Sequence, residues 1–442
     1  MMQPSCFFDA LPEQGLFREG AHWRLSPEPL KLPRGIVRQL QGLGHVLASF
    51  QDACHELYLR SAAGEEHPWL ARMLDAGKPR WLVEAQRSRP LRRGLPRVIR
   101  PDLMLGRGDF AVSELDSVPG GQGVTLFLSR LYARAGFPVI GGADGMLEGF
   151  RAAHPKGVLF AVSEESGDYR GETEYLARAL GSPCELARAE SLPMRPPGER
   201  TLYRFFELFD AGNIPHARDW IEACAAGALD MSPAPVQHIE EKIWMALFHL
   251  PGLQTTWRKL LRGAHYERLR RVIPFSWVVD PAPLPPQAAL PRLGLHSWDE
   301  VAALSQKERR LVLKISGFDP AAWGARGVYI GHDMPGDEWK DALQRACADF
   351  PSRLWLLQEF RPGDIFEHPW FPEPLSDPGR VEIMKGRVRL CPYYYRQENG
   401  QTALAGCLAT IAPADKKKIH GMKDAVLVPC TADGHAAQRA GK

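Results

Sequence analysis

Residues 100–117, RPDLMLGRGDFAVSELDS, leave the backbone little choice. Two short runs of alternating apolar residues flank Gly-Arg-Gly-Asp, the pattern of a β-hairpin. Along a strand, residues of one parity share a face, so Arg100, Asp102, Glu114 and Asp116 fall on the same side. A symmetric pairing sets Asp102 opposite Glu114 and Arg100 opposite Asp116. Like charges directly across a ladder destabilise it. Any fold that keeps this hairpin must bring a cation to it.

The rest of the chain is ordinary enough to supply a core. It has 442 residues, 45% hydrophobic and 24% charged, which suits two or three subdomains. A net charge of +3 implies no broad basic surface for nucleic acid or an anionic membrane. The eight cysteines are scattered and contain no C-x-x-C pair. They fit neither a disulfide framework nor a zinc site, so a reducing cytoplasm is the expected location. The opening MMQPSCFFDALPEQG lacks the features of a secretory signal, and no apolar run approaches the roughly 20 residues that span a bilayer.

Periodicity divides the chain further. Residues 1–95 read as a mainly helical segment, with apolar steps of three and four in GIVRQLQGLGHVLASFQDACHELYLRS. Residues 96–235 hold the hairpin, a helix in VTLFLSRLYARAG and α/β units beginning at GVLFAVSEESGDYRGETEYLARAL. Residues 236–430 open on IEEKIWMALFHL, read as a helix with one apolar face, and pass through the proline-rich connector VVDPAPLPPQAALP. They continue with strands at LVLKISG, RLWLLQEF, RVEIMKGRVRLCPYYY and DAVLVPC, and a helix near DEWKDALQRACADF. Residues 431–442 read as a frayed polar tail.

The motifs narrow the chemistry. GRGDFA formally satisfies a dinucleotide fingerprint, but FAVSEL continues as a strand where that fingerprint needs a helix. Neither a Walker A loop nor H-E-x-x-H occurs. Asp102, Glu114 and Asp116 suit a hard cation such as Mg²⁺, with Arg100 free to hold a phosphate or orient a carboxylate. The competing reading is a solvated hairpin face with an ion pair worth ~0–1 kcal/mol. Lys314 ends an apolar strand and precedes Gly317, Gly324 and Gly327, a point charge before a loop able to close over phosphates. The alternative is a snorkelling lysine before an ordinary loop. Gln358 and Glu359 end another apolar strand, where they could read an adenine edge or merely mark a terminus. Lys242 is a third cation, read on the helix 239–250. Arg389 and Arg396 flank CPYYY, and DKKKIHGMK is read as a solvated basic run. His238 and His420 have no partner at metal-ligand spacing and are read as structural or solvent-facing.

Together these pieces resemble the circularly permuted ATP-grasp ligases typified by glutathionylspermidine synthetase. In that pattern an Arg-x-Asp pair precedes a Glu-x-Asn/Asp pair by twelve residues, as Arg100-Pro101-Asp102 and Glu114-Leu115-Asp116 do here. The carboxylate hairpin also precedes the lysine and glycine loop, the permuted order. The resemblance implies an α/β (α+β) fold with mixed and antiparallel sheets and an N-terminal helical segment. It carries over Asp102, Glu114 and Asp116 as Mg²⁺ ligands and Arg100 as a phosphate or substrate contact. Lys242 and Lys314 become the nucleotide lysines, and Gln358, Glu359 and Phe360 the hinge facing adenine. Where the family's loop commonly carries Arg-Glu-Gly, this chain has Gly324-Ala325-Arg326-Gly327, which leaves Arg326 as the loop's candidate catalytic base-charge without the acid.

The activity so implied is ATP- and Mg²⁺-dependent and ADP-forming. It joins a small-molecule carboxylate to an amine through an acylphosphate, under a loop that excludes water. The rivals are an ATP-dependent small-molecule kinase and a degenerate nucleotide-binding partner protein. From the hairpin alone, Asp102→Asn or Glu114→Gln is expected to remove catalysis, leave the fold and relieve repulsion.

Overall fold

The computed structural model describes residues 23–324, 326–372, 380–397, 399–416 and 424–434. His420, most of the DKKKIHGMK run and the end of the expected tail lie outside them. The chain forms two compact units. The first gathers residues 1–48, 94–235 and 362–442, and the second residues 49–93 and 236–361. The border falls inside the helix Arg34–Ala62, where the three- and four-residue apolar steps placed a helix.

The first unit is built on an eight-stranded sheet. Leu30–Leu32, Val426–Ala432, Thr402–Pro413, Glu382–Arg396, Pro101–Leu105 and Phe110–Leu115 lie side by side in that order. Val98–Ile99 and Ile365–Trp370 also pair with Glu382–Arg396. The sheet is mixed because Leu30–Leu32 runs parallel to Val426–Ala432 while the other pairings are antiparallel. That parallel pairing extends to Thr431 and Ala432, so the sheet takes in the first residues of the expected tail.

Glu382–Arg396 is the spine of this sheet, and its three tyrosines fix how closely neighbours approach. A Cβ would come within 2.3 Å of the Tyr394 ring at Gly44, 2.4 Å of Tyr395 at Gly149 and 2.5 Å of the Tyr393 hydroxyl at Gly121. Only glycine lets these backbones lie against the aromatic run. A second sheet in this unit is parallel throughout, in the order Glu185–Arg188, Val158–Val162, Thr201–Phe205, Met231–Ser232. The apolar run VLFAV and the strand TLYRF, which carries a buried Arg204, are buried along their whole length, as strands covered on both faces must be.

The second unit holds a four-stranded antiparallel sheet ordered Val328–Ile330, Leu311–Ile315, Trp355–Glu359, Ser276–Val278. Leu311, Leu313 and Ile315 join Trp277, Trp355 and Leu357 in one core with Trp339 and Leu343 of the helix Gly336–Asp349. Strand alternation therefore puts Val312, Lys314, Leu356 and Gln358 on the opposite face. Among the described residues, no helix is long and apolar enough to cross a membrane.

Several histidines in both units are buried. His154, His238, His249 and His368 are each less than one-tenth exposed. Burial pushes His154 down to about 3, His249 and His368 down to about 4, and His238 well below the ordinary value. Their folded state prefers the neutral ring, whereas the unfolded chain takes up protons near pH 6.5. Stability is therefore complete above that pH and falls as the pH drops toward about 4. Each such ring should cost about 1.4 kcal/mol by pH 5.5. Urea midpoints measured at pH 7.5, 6.5 and 5.5 should fall together with proton uptake on unfolding, and a flat series would contradict the assignment.

Candidate functional site

The base of the hairpin pairs as its symmetry requires. Asp102 lies opposite Glu114 and Pro101 opposite Leu115, and the Asp116 N–H donates to the Arg100 carbonyl at 3.0 Å. Beyond Asp102 the register slips by one residue, so that Leu103 faces Val112. The slip leaves Ser113 as the extra residue of a bulge, and its hydroxyl donates to the Asp102 carbonyl at 3.0 Å.

The compensating charge comes from two arginines. Arg100 Nη2 lies 3.2 Å from Asp102 Oδ1 and also pairs with Asp116. Arg389, from the spine strand, places Nη1 3.0 Å from Asp102 Oδ2. Both Asp102 oxygens thus meet a guanidinium, and the Cys391 thiol donates to Oδ1 at 3.4 Å. The Asp102 side chain is 4% exposed, and those of Arg100 and Arg389 only 13% and 16%. Burial opposes the charge of each arginine, yet Asp116 and Asp102 outweigh it at Arg100, as Asp102 does at Arg389. Both pKa values are raised. Burial also raises the Asp116 carboxyl above its usual range, aided by Asp102 and Glu114 and opposed by Arg100.

SVPGGQG turns directly from this cluster into the helix Gln122–Arg134. The Gly120 carbonyl accepts from Arg100 Nη1 at 3.0 Å and from the Tyr393 hydroxyl at 2.7 Å. The helix N-terminus is filled by the protein itself, since Glu172 accepts from the Gly121 and Val124 N–H groups at 2.6 and 3.2 Å. These glycines therefore serve a buried junction.

In the second unit, Lys314 donates from Nζ to Gln358 Oε1 at 2.8 Å, and both residues are buried. Gln358 is oriented in turn by donation to Ser276 Oγ at 3.0 Å. Two residues read from separate stretches thus form one fixed pair. Glu359 and Phe360 face elsewhere. Glu359 pairs with Arg292 at 2.9 Å, and the Phe360 ring lies 4.6 Å from that of His332. Their backbone N–H groups already donate to Phe275 and Arg310 carbonyls.

The glycine loop is held from inside. Gly327 donates to the Ala321 carbonyl at 2.7 Å, and a Cβ there would meet Ile315 at 2.4 Å. Gly324 takes a left-handed φ of +70°, and a Cβ at Gly317 would lie 3.0 Å from Glu241. Lys242 donates to the Ala322 carbonyl at 2.6 Å. Arg326 is exposed and stacks on Trp323 at 5.5 Å. Ala325 lies outside the described residues.

One sequence reading needs correction here. Lys242 is not on a helix, because the helix in this stretch is only Trp244–His249 and follows a short turn Gln237–Glu240. The break has a physical cause. Glu241 is buried in an ion pair with Lys78 at 2.8 Å and accepts from the Ser316 hydroxyl, which in turn accepts from the Ile243 N–H at 2.9 Å. These contacts outweigh the helical pattern. His238 is structural, one of the two roles read for it: it is buried, with Nε2 2.9 Å from His55 Nδ1.

No family model matches the chain, and no curated protein matches it. Among solved structures, the chain is similar to a glutathione synthetase-like effector from Globodera pallida, in its apo form. The TM-score is 0.50 at 15% identity, over 92% of this chain and 90% of that one. The fold is ATP-grasp-like. A candidate gamma-glutamylcysteine synthetase from Methylobacillus flagellatus KT aligns with a TM-score of 0.37 and 13% identity, over 89% of this chain and 88% of that one. Only the first likeness is close enough to bear on the fold.

Within this ATP-grasp-like fold the hairpin's donor set is all carboxylate oxygen, which suits a hard divalent cation. Among the described residues no group of three His, Cys, Asp or Glu side chains gathers as a metal cluster. Asp102 and Asp116 are instead turned to guanidinium groups, so a cation would have to draw them away. Arg100 and Arg389 each keep a buried Nε without a hydrogen-bond partner, donor capacity that an anion could use. Sequence reasoning missed the roles of Arg389, Lys78 and Glu241. The signal for Arg389 was its place in a strand of alternating burial, GRVRLC, where an arginine needs a buried acid.

Proposed function

We propose that this protein is an ATP- and Mg²⁺-dependent, ADP-forming ligase that joins a carboxylate to an amine. The observation that carries the reading is the cluster of half-buried Arg100, Asp116 and Arg389 around the buried Asp102, with Glu114 across the ladder. The likeness to a protein called glutathione synthetase-like supports a peptide-type bond as the product.

Asp102, Glu114 and Asp116 would hold the metal, which would supply charge neutralisation to the phosphates. Arg100 would supply planar donors to the charge that develops on the carboxylate and phosphoryl group. Lys314, held by Gln358, offers a point charge to the nucleotide's phosphates. The loop 317–327, tied at Ala322 by Lys242, would cover the nucleotide and exclude water, with Arg326 on its exposed side. Glu359 and Phe360 would border adenine through groups other than their engaged N–H donors. Such a site works by positioning and electrostatics and needs no covalent nucleophile.

The test is ADP release against a panel of amino acids, polyamines and small peptides, with mass spectrometry of the products. ADP and phosphate should appear only with an acid and an amine together, with a product equal to their sum less one water. A stable phosphorylated product would make the protein a kinase. Absence of Mg-ATP binding by calorimetry would end the nucleotide reading.

A further inference from the structure

Resting on that reading, we propose that Arg389 couples the metal to the polyphosphate, so that neither binds well at the hairpin without the other. Arg389 comes from the strand Glu382–Arg396, outside the hairpin, and its guanidinium holds Asp102 Oδ2 while Arg100 meets Oδ1. A cation arriving alone must displace that contact and lie beside two largely enclosed guanidiniums, 13% and 16% exposed. It gains carboxylate oxygens but loses one charge-assisted hydrogen bond from Arg389 and the ion-pair contact of Arg100.

The charges point the same way. Within the hairpin and Arg389, three carboxylates and two guanidiniums sum to −1, while the nearby Glu172 is engaged by the Gly121 and Val124 N–H groups, and a divalent cation turns that sum to +1. In a partly desolvated site an excess of either sign is costly. A polyanion arriving with the metal removes the positive excess. It also meets the Nε groups of Arg100 and Arg389, which are buried and without hydrogen-bond partners. Arg389 is thus a guard on Asp102 in the metal-free protein and a phosphate contact once Asp102 turns to the metal. Both roles need its charge, and the second needs its fork.

The coupling is reciprocal, so it can be read from the metal side alone. Free Mn²⁺ is followed by electron paramagnetic resonance during titration of the full chain, with and without saturating inorganic tripolyphosphate. Complexation in solution is common to wild type and variants, so differences between proteins isolate the protein's part. Wild type should bind Mn²⁺ weakly alone and at least about fivefold more tightly with the anion than R389M does. R389M should bind Mn²⁺ alone more tightly than wild type, because Asp102 is released. R389K, which keeps charge without the fork, should fall between them and guards against a variant that folds poorly.

Equal Mn²⁺ curves for wild type and R389M in both conditions would overturn the proposal, as would equal weakening in both. If R389M does not fold, R389K matching wild type in both conditions overturns it. If wild type binds neither Mn²⁺-tripolyphosphate nor Mn-ATP, the nucleotide reading falls and this inference with it. Binding of Mn-ATP without a difference between the proteins leaves that reading standing and removes only the coupling.

Discussion

Asp102→Asn should destabilise the folded protein by about 3–5 kcal/mol, where the hairpin read alone predicts relief from repulsion. The sequence shows Asp102 facing Glu114, and that pairing is present. Repulsion across the ladder is nonetheless outweighed, because Asp102 lies 3.2 Å from Arg100 and 3.0 Å from Arg389. Removing its charge leaves Arg389 buried without an acid at that contact, while Arg100 keeps Asp116. Glu114→Gln is the informative contrast. Glu114 is only half-buried, so its loss should change the urea midpoint little. In the proposed ligase both substitutions remove an oxygen ligand, and each should lower turnover by about 10²–10³-fold or more. Equilibrium unfolding and ADP release on the same preparations separate the effects. An Asp102→Asn protein as stable as wild type would show that the arginine contacts carry no net energy. A Glu114→Gln enzyme with unchanged turnover would remove Glu114 from the site.

How much of this was legible depends on the distance between partners in the chain. The pairing at the base of the hairpin, the α/β runs and the strand carrying Lys314 follow from patterns within a few residues, and all of them form, whereas the one-residue slip beyond Asp102 does not follow from the symmetry. Arg389 lies 287 residues from Asp102, and no local rule links a strand arginine to an acid that remote. The strand Thr402–Pro413 escaped notice for a related reason. Its sequence TALAGCLATIAP is rich in small residues with weak strand preference. Those residues are small because neighbours pack close. A Cβ at Gly406 would lie 2.7 Å from Met146, and one at Gly141 would lie 1.9 Å from the Ala405 carbonyl. Tertiary approach, which a single stretch does not encode, set the composition of a strand in the middle of the sheet.

The same limit explains the stretch around Lys242 and leads to the other large effect. IEEKIWMALFHL has a helical period, yet the chain leaves the helix at Glu241 so that its carboxylate can reach Lys78 and Ser316. The side chains of Lys78 and Glu241 are 4% and 1% exposed, so each charge depends on the other. Lys78→Met should therefore cost about 3–5 kcal/mol by stranding the Glu241 carboxylate. Lys242→Met loses one hydrogen bond to the Ala322 carbonyl and should cost only about 1–2 kcal/mol. The double variant Lys78→Met, Glu241→Gln should recover part of the loss, because no unpaired charge is left buried. Recovery would be incomplete, since Glu241 also anchors Ser316, which leads into the glycine loop. Urea unfolding of wild type, Lys78→Met, Glu241→Gln and the double variant gives the cycle directly. Strictly additive losses would mean that the two side chains do not depend on each other. A Lys78→Met cost below about 1 kcal/mol would place the pair in the range of exposed ion pairs.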